Sequence, residues 1–282
     1  MKSGKLYIVA TPIGNLKDIS VRAKKILSTV SMIAAEDTRR TKKLLSATGI
    51  SKRTISYREQ VREKASAQII FELEKGGDVA LVTDAGTPGL SDPGYFLVKQ
   101  AARNDITIVP IPGPSALAAA ISASGISMDS FVFVGFLPTR SPARCRRLEE
   151  LGVTGYPLAF YESPRRLLAT LSDIEEVIGN RYAVVARELT KIHEEFIRGS
   201  VREVADKLKE RVIKGEVTLL VEGGDARPVS LELDKAVGEM RSAGLSASKT
   251  ASILANLTGE SRRKIYDIAK EKKGSKGGNG DG

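Results

Sequence analysis

The stretch Asp78-Val79-Ala80-Leu81-Val82-Thr83-Asp84-Ala85-Gly86-Thr87-Pro88-Gly89 decides how this chain is read. A short apolar run ends abruptly in a loop with two glycines and a proline. Such a near-continuous run is how a strand buried in a parallel sheet reads. Glycine lets the backbone reach positive φ and lets a ligand come close to its amides. A tight structural turn would use the same residues. The loop is neither G-x-G-x-x-G nor a P-loop, so nucleotide hydrolysis and the usual dinucleotide-binding fold lose support. Ser91-Asp92-Pro93-Gly94 follows as a helix start, with proline in the first turn.

The same pattern extends in both directions. Upstream, Leu6 to Ala10 is an apolar strand ended by Pro12 and Gly14, and Ser20 caps a helix from about Val21. Met32 to Ala35 is a second strand, running into the polar turn Glu36-Asp37-Thr38-Arg39. Residues 61–75 read as a helix. Downstream, a helix from about Gly94 to Arg103 leads to the strand Ile106 to Val109, which stops at Pro110-Ile111-Pro112-Gly113-Pro114. Strands alternating with helices predict an α/β domain with a mostly parallel sheet. Ligands of such sheets sit beyond the carboxyl ends of the strands. The unusual turns lie at those ends.

A small-residue helix, Ser115 to Ala123, opens the second half. Five strands follow, at 131–134, 157–161, 182–186, 194–198 and 217–221, in a mixed sheet, with helices near 142–151, 164–178 and 200–213. After Pro228 three short helices are expected, at 231–243, 246–256 and 260–270, as a helix-turn-helix-like unit or a plain helical cap. The expected division is 1–115, 116–227 and 228–273, with a glycine-rich, disordered tail at 274–282.

Composition narrows the function. The 282 residues hold 44 Lys+Arg against 34 Asp+Glu, a net charge of +10, which favours a polyanionic partner. One cysteine excludes an intrachain disulfide, and one histidine beside it leaves too few soft ligands for structural zinc. No apolar run is long enough to span a membrane. No export signal is recognisable, which points to the cytoplasm. From Thr38 to Arg58 there are seven basic residues and no acid: Arg39, Arg40, Lys42, Lys43, Lys52, Arg53 and Arg58. Solvated helix faces mix signs, so this stretch suits contact with a polyanion. Asp37 and Glu162 are carboxylates at strand ends that could accept a proton. A salt-bridged turn at the first and a pairing with Arg165 at the second are the bland alternatives. Ser115 can cap its helix, and the amides there suit an anion.

Six segments in this order, TPIGNLKDIS, AEDTRRTKKLL, VTDAGTPGLSDPG, VPIPGPSALAAAISASG, FVFVGFLP and FYESPRRL, resemble those of the bacterial 16S rRNA cytidine 2′-O-ribose methyltransferases of the tetrapyrrole-methylase superfamily. The resemblance covers nearly the whole chain. It implies a two-domain α/β methyltransferase, with S-adenosyl-L-methionine in the cleft between domains, acting as a homodimer on the small ribosomal subunit without a metal. It implies cofactor contacts at Pro12, Asp84, Gly86, Thr87, Ser115, Ala116, Phe160 and Gly223. It implies phosphate contacts at Arg39, Arg40, Lys42, Lys43, Arg165 and Arg166, with Asp37 or Glu162 as the proton acceptor or as the group orienting the nucleotide. A tetrapyrrole C-methyltransferase would share the cofactor cleft. A non-enzymatic RNA-binding regulator would explain the charge but not the glycine-rich turns.

Overall fold

A computed structural model describes residues 3–224 and 233–271. The first half is a five-stranded parallel sheet of β1 (Leu6–Val9), β2 (Met32–Ala35), β3 (Thr54–Ser56), β4 (Val79–Val82) and β5 (Ile108–Ile111), in the order β3-β2-β4-β1-β5. The connecting helices are α1 (Val21–Thr29), α2 (Thr38–Ala47), α3 (Arg62–Glu74) and α4 (Gly94–Arg103). β2 and β4 are buried at every residue, which is why they read as unbroken apolar runs. One cluster, containing Leu6, Leu81, Ile69 and Leu97, covers one face, and another, containing Val9, Ile33, Leu27 and Leu45, covers the other.

α5 (Ala116–Ser122) leads to a second sheet of β6 (Val132–Phe136), β7 (Leu158–Glu162), β8 (Tyr182–Arg187), β9 (Glu195–Ser200) and β10 (Val217–Val221), ordered β6-β7-β10-β8-β9. β6 and β7 run parallel, and the other pairs are antiparallel. α6 (Ser141–Gly152), α7 (Leu167–Ile178) and α8 (Val201–Lys209) pack on one face over Phe160, Leu171 and Val204. α5 residues Leu117 and Ala120 pack against Ala159, Val184 and Leu220 on the other.

Local signals explain most boundaries. Ser20 Oγ accepts from Ala23 N at 3.0 Å, as an N-cap does. Ser200 and Glu203 form a capping box on α8. Four expectations shift. The polar turn after β2 is shorter, because Asp37 caps α2 and Thr38 already begins it. β3 has no counterpart in the sequence reading. β5 starts two residues later than expected, and α7 starts at Leu167 because Ser163 to Arg166 form a separate turn.

Both sheets belong to one compact unit, and α9 (Leu233–Ser242), α10 (Ala247–Thr258) and α11 (Arg262–Glu271) to another. The three helices bury Val237, Ala251, Leu254, Ile265 and Ala269. Ser246 caps α10, and Gly259, at φ +71°, ends it. The expected disordered tail, 274–282, lies outside the described residues. Among the described residues no helix is long and apolar enough to cross a membrane.

Candidate active site

The chain leaves β1 toward β2 on one side and leaves β4 toward β5 on the other. The crevice beyond β1 and β4 is therefore a switch point of the parallel sheet, where such folds place ligands. Two loops meet there. Thr11 N donates to Gly86 O at 2.9 Å and Gly86 N donates to Thr11 O at 3.0 Å. Thr11 Oγ1, buried, donates to Thr83 O at 3.1 Å. This pairing needs Gly86 at φ +85°, a conformation that disfavours any residue with a Cβ. The glycine of the quoted loop is thus fixed by a two-way backbone bridge.

A charged network sits beside the bridge. Thr83 Oγ1 donates to Glu36 Oε2 at 2.6 Å, and Asp84 N donates to the same oxygen at 3.3 Å. Asp37 N donates to Asp84 Oδ1 at 2.9 Å, and Arg40 Nη1 lies 3.3 Å from Asp84 Oδ2. Burial, and then the neighbouring Glu36 carboxylate, push the Asp84 carboxyl above the ordinary carboxylate range despite Arg40. Asp37 is the opposite case. The backbone N–H of Arg39, at 2.8 Å, holds its carboxyl below that range. Further along, Thr87 Oγ1 donates to Pro114 O at 3.2 Å, which joins the glycine-rich loop to the β5 loop. Asp92 closes that loop by accepting from Gly89 N and Gly94 N. Ser115 caps α5.

The second sheet supplies the opposite wall. A cavity of about 470 Å³ is bounded on one side by Asp84, Gly86, Thr87, Ser115 and Ala116 and on the other by Tyr161, Ala186, Leu189 and Gly215 to Thr218. Ile13, Ala186 and Leu189 make a buried apolar wall, and Glu36 and Asp84 an acidic one. Phe136 and Leu90 stand in its lining with much of their surface exposed.

Glu162 lines the cavity with its carboxylate already engaged by neighbouring donors. Its Oε1 accepts from Ser163 N, Arg166 Nε and Arg166 Nη2 at 2.6, 2.8 and 2.6 Å. Its Oε2 accepts from Thr170 Oγ1 at 2.7 Å. Three donors thus crowd Oε1 and one meets Oε2, so the carboxylate is held by four hydrogen bonds from Ser163, Arg166 and Thr170. The Arg166 guanidinium reaches on to Leu137 O and Thr139 Oγ1. Glu162 and Arg166, at which the sequence suggests a base and a phosphate contact, form an ion pair whose further hydrogen bonds link β7, α7 and the residues just after β6.

The remaining candidates divide. Asp84, Gly86, Thr87, Ser115, Ala116 and Arg40 line the main cavity, and Pro12 is half-buried beside its lining residue Ile13. Asp37 and Arg39 line a smaller, polar cavity of about 310 Å³ with Ser56 and Arg58, and Glu36 borders both. Lys42, Lys43 and Arg165 are exposed. Phe160 is buried in the core under α7, and it is Tyr161 that borders the cavity. Gly223 follows the carboxyl end of β10. That strand runs antiparallel to β7, with Val217 beside Glu162 and Val221 beside Leu158, so its amino end, Gly215 to Thr218, reaches the cavity and Gly223 does not. The sequence reading assigns no role to Tyr161, Leu189 or Thr218. Tyr161 lies within the quoted FYESPRRL segment, one residue from the position chosen.

The profile of the Tetrapyrrole (Corrin/Porphyrin) Methylases matches residues 5–205. A protein of Halalkalibacterium halodurans named Ribosomal RNA small subunit methyltransferase I is 48% identical over 78% of this chain and 76% of its own. A Synechocystis protein of the same name is 43% identical over 95% of this chain and 98% of its own. Among solved structures, the uroporphyrin-III C-methyltransferase of Thermus thermophilus, complexed with S-adenyl homocysteine, superposes with a TM-score of 0.53 at 15% identity, over 79% of this chain and 98% of that one. At that identity the likeness establishes the fold. With a switch-point cavity, a parallel sheet followed by a mixed one, and these matches along most of its length, the chain belongs to the tetrapyrrole methylase family, in the group of the small-subunit ribosomal RNA methyltransferases.

Proposed function

We propose that the chain is an S-adenosylmethionine-dependent methyltransferase that methylates the 2′-hydroxyl of a cytidine in 16S ribosomal RNA of the small ribosomal subunit. One observation carries the reading: a cavity with a buried apolar wall faces Glu36 and Asp84, beside a helix whose first turns carry four cations.

The residues fit the cofactor. Ile13, Ala186 and Leu189 offer an apolar surface for an adenine. Glu36 and Asp84 are near neighbours, and the Asp84 carboxyl is pushed upward, so a cationic ligand relieves their repulsion. Ser115 and the start of α5 face the same space and suit a carboxylate. Bound there, S-adenosylmethionine supplies a methyl group activated by a sulfonium. The chain contributes position, which for an in-line displacement is a large part of the acceleration. Asp37 stays ionised and accepts a hydrogen bond from the acceptor ribose. Glu162 and Arg166 brace the wall.

The RNA contact is electrostatic. Arg39 and Arg40 lie in the first turn of α2 with Lys42 and Lys43 close behind, and that turn holds no acid. Cations at the positive end of a helix dipole oppose its field. A polyanion beside them reverses the penalty, so this placement supports binding to phosphates. Arg165 extends the basic rim. The acceptor is a splayed, unpaired segment, the form in which RNA bases and riboses are reachable. The chain works in the cytoplasm as a homodimer, with a division near residue 115 between a parallel and a mixed domain, a third unit at 228–273 and a tail at 274–282.

The test is methyl transfer from labelled S-adenosylmethionine to undermethylated small subunits, with a tetrapyrrole as the competing acceptor. The product expected is 2′-O-methylcytidine. Methylation of the tetrapyrrole alone, or no heat on calorimetric titration with the cofactor, overturns the reading.

A further inference from the structure

We infer that Phe136 is the platform on which a base of the RNA acceptor stacks, an inference that rests on the RNA methyltransferase reading above. It begins with a register fault. Phe133 pairs with Ala159, but Gly135 pairs with Phe160 and Phe136 with Tyr161. One surplus residue lies between Phe133 and Gly135. Side chains alternate along a strand, so in an unbroken pleat Phe133 and Phe136, three positions apart, would point to opposite faces. Because the extra residue is left out of the pairing, both fall on the face of Ala159 and Tyr161. The rings bear this out. Phe133 lies 5.1 Å from Tyr161 edge-on, and Phe136 lies 5.8 Å from Tyr161 at 55°.

The fault is held at some cost. Gly135 sits at φ +70°, and a Cβ there would come within 2.6 Å of Ser91 Oγ. Bulges recur beside active sites, where they re-aim a side chain. The side chain re-aimed here is an aromatic ring that borders the cavity and remains 58% exposed. Its position is fixed from behind, because Arg166 holds Leu137 O at 3.3 Å.

Two occupants compete for the ring. The cofactor's adenine has a better surface in Ile13, Ala186 and Leu189, each under a tenth exposed. The exposed ring at the margin is left to the acceptor. Unstacked bases of single-stranded RNA are gripped by aromatic side chains in this way, with little sequence preference. In a chain with only 5% aromatics, a half-exposed phenylalanine at the cavity is an economical place for one.

The chain contains no tryptophan, so Phe136→Trp introduces a single tryptophan, whose emission can be excited apart from that of the seven tyrosines. Its emission is expected to be quenched by undermethylated small subunits and by a cytidine-containing single-stranded oligoribonucleotide, but not by S-adenosylmethionine alone. Phe136→Leu is expected to raise KM for the subunits about ten-fold, the size of one lost base stack, with cofactor affinity unchanged, and Phe136→Tyr to restore it. Quenching by the cofactor alone assigns the ring to adenine and overturns the inference. So does a Phe136→Leu variant whose KM stays within about two-fold of the unaltered protein. If the unaltered protein transfers no methyl to subunits, the RNA reading falls and takes this inference with it. Normal transfer with an unmoved KM sinks this inference alone.

Discussion

The backbone N–H of Asp37 donates to Asp84 Oδ1 at 2.9 Å, so a hydrogen bond joins the helix that carries the cations to the loop that borders the main cavity. Arg40 ties the same pair through Asp84 Oδ2. Charge on Asp84 thus bears on both halves of the proposed reaction.

Asp84→Asn removes that charge and keeps an acceptor for the Asp37 N–H. Affinity for S-adenosylmethionine is expected to fall about ten-fold, or about 1.4 kcal/mol, by calorimetry. The pH dependence has a definite sign. The folded Asp84 pKa lies above its unfolded value, so ionising the group costs stability as pH rises through the folded value. Cofactor binding runs the other way and weakens as pH falls through that value. An affinity indifferent to acid and to the substitution removes Asp84 from the site.

Glu162→Gln places an amide donor among groups that already donate. Breaking a buried ion pair costs about 3 kcal/mol, and a urea midpoint lowered accordingly is expected. Arg166→Ala should do similar damage by stranding the carboxylate. If Glu162 is instead the base, the glutamine variant keeps its stability and loses turnover.

Asp37 tests the proton acceptor separately. The Arg39 amide holds its folded pKa below the unfolded value, so its contribution to stability is present above the unfolded value and lost as pH falls through the folded one. If Asp37 orients the ribose as an anion, the acid limb of the pH–rate profile lies below the ordinary carboxylate range. Asp37→Asn is expected to keep the helix cap and lower kcat. A limb near neutrality points to another group.

Lys42→Ala and Lys43→Ala touch no ion pair described here. Each is expected to weaken binding to subunits and to lower the slope of log affinity against log salt by about 0.7 if it meets a phosphate of a single strand. Arg39→Ala should do likewise. A slope that does not change makes the residue a bystander.

Gly135→Ala tests the register fault. Left-handed backbone at a residue with a Cβ, plus the Ser91 contact, predicts a loss of about 1–3 kcal/mol. Ser91→Gly, at a position with φ +66°, removes the clash and relieves a second strained residue. The double variant is expected to recover part of the loss in chemical denaturation. Independent, additive effects would show that the two do not meet.

Most strands were legible because burial on two faces leaves an apolar run that nothing else in the chain imitates. The same property hid the orientation of β7. Leu158, Ala159 and Phe160 are all buried, so no alternation marks Tyr161 as the residue on the cavity side. α2 was illegible because Thr41 and Leu45 are its only fully buried residues and its apolar stripe is too narrow to show among lysines and arginines. β3 is three residues with one aliphatic. Gly223 was misplaced for a different reason. A strand's composition does not record its direction, and β10 turns its amino end to the cavity.

The surplus residue in β6 sets how this surface can diversify. Deleting the surplus residue would leave Phe136 two positions after Phe133, still on the face of Tyr161, whereas a strand that kept its length but lost the fault would turn the ring to the opposite side of the sheet. A lineage that replaced Gly135 and straightened the strand would therefore lose this platform in a single step, whereas one that shortened the strand by a residue would keep it.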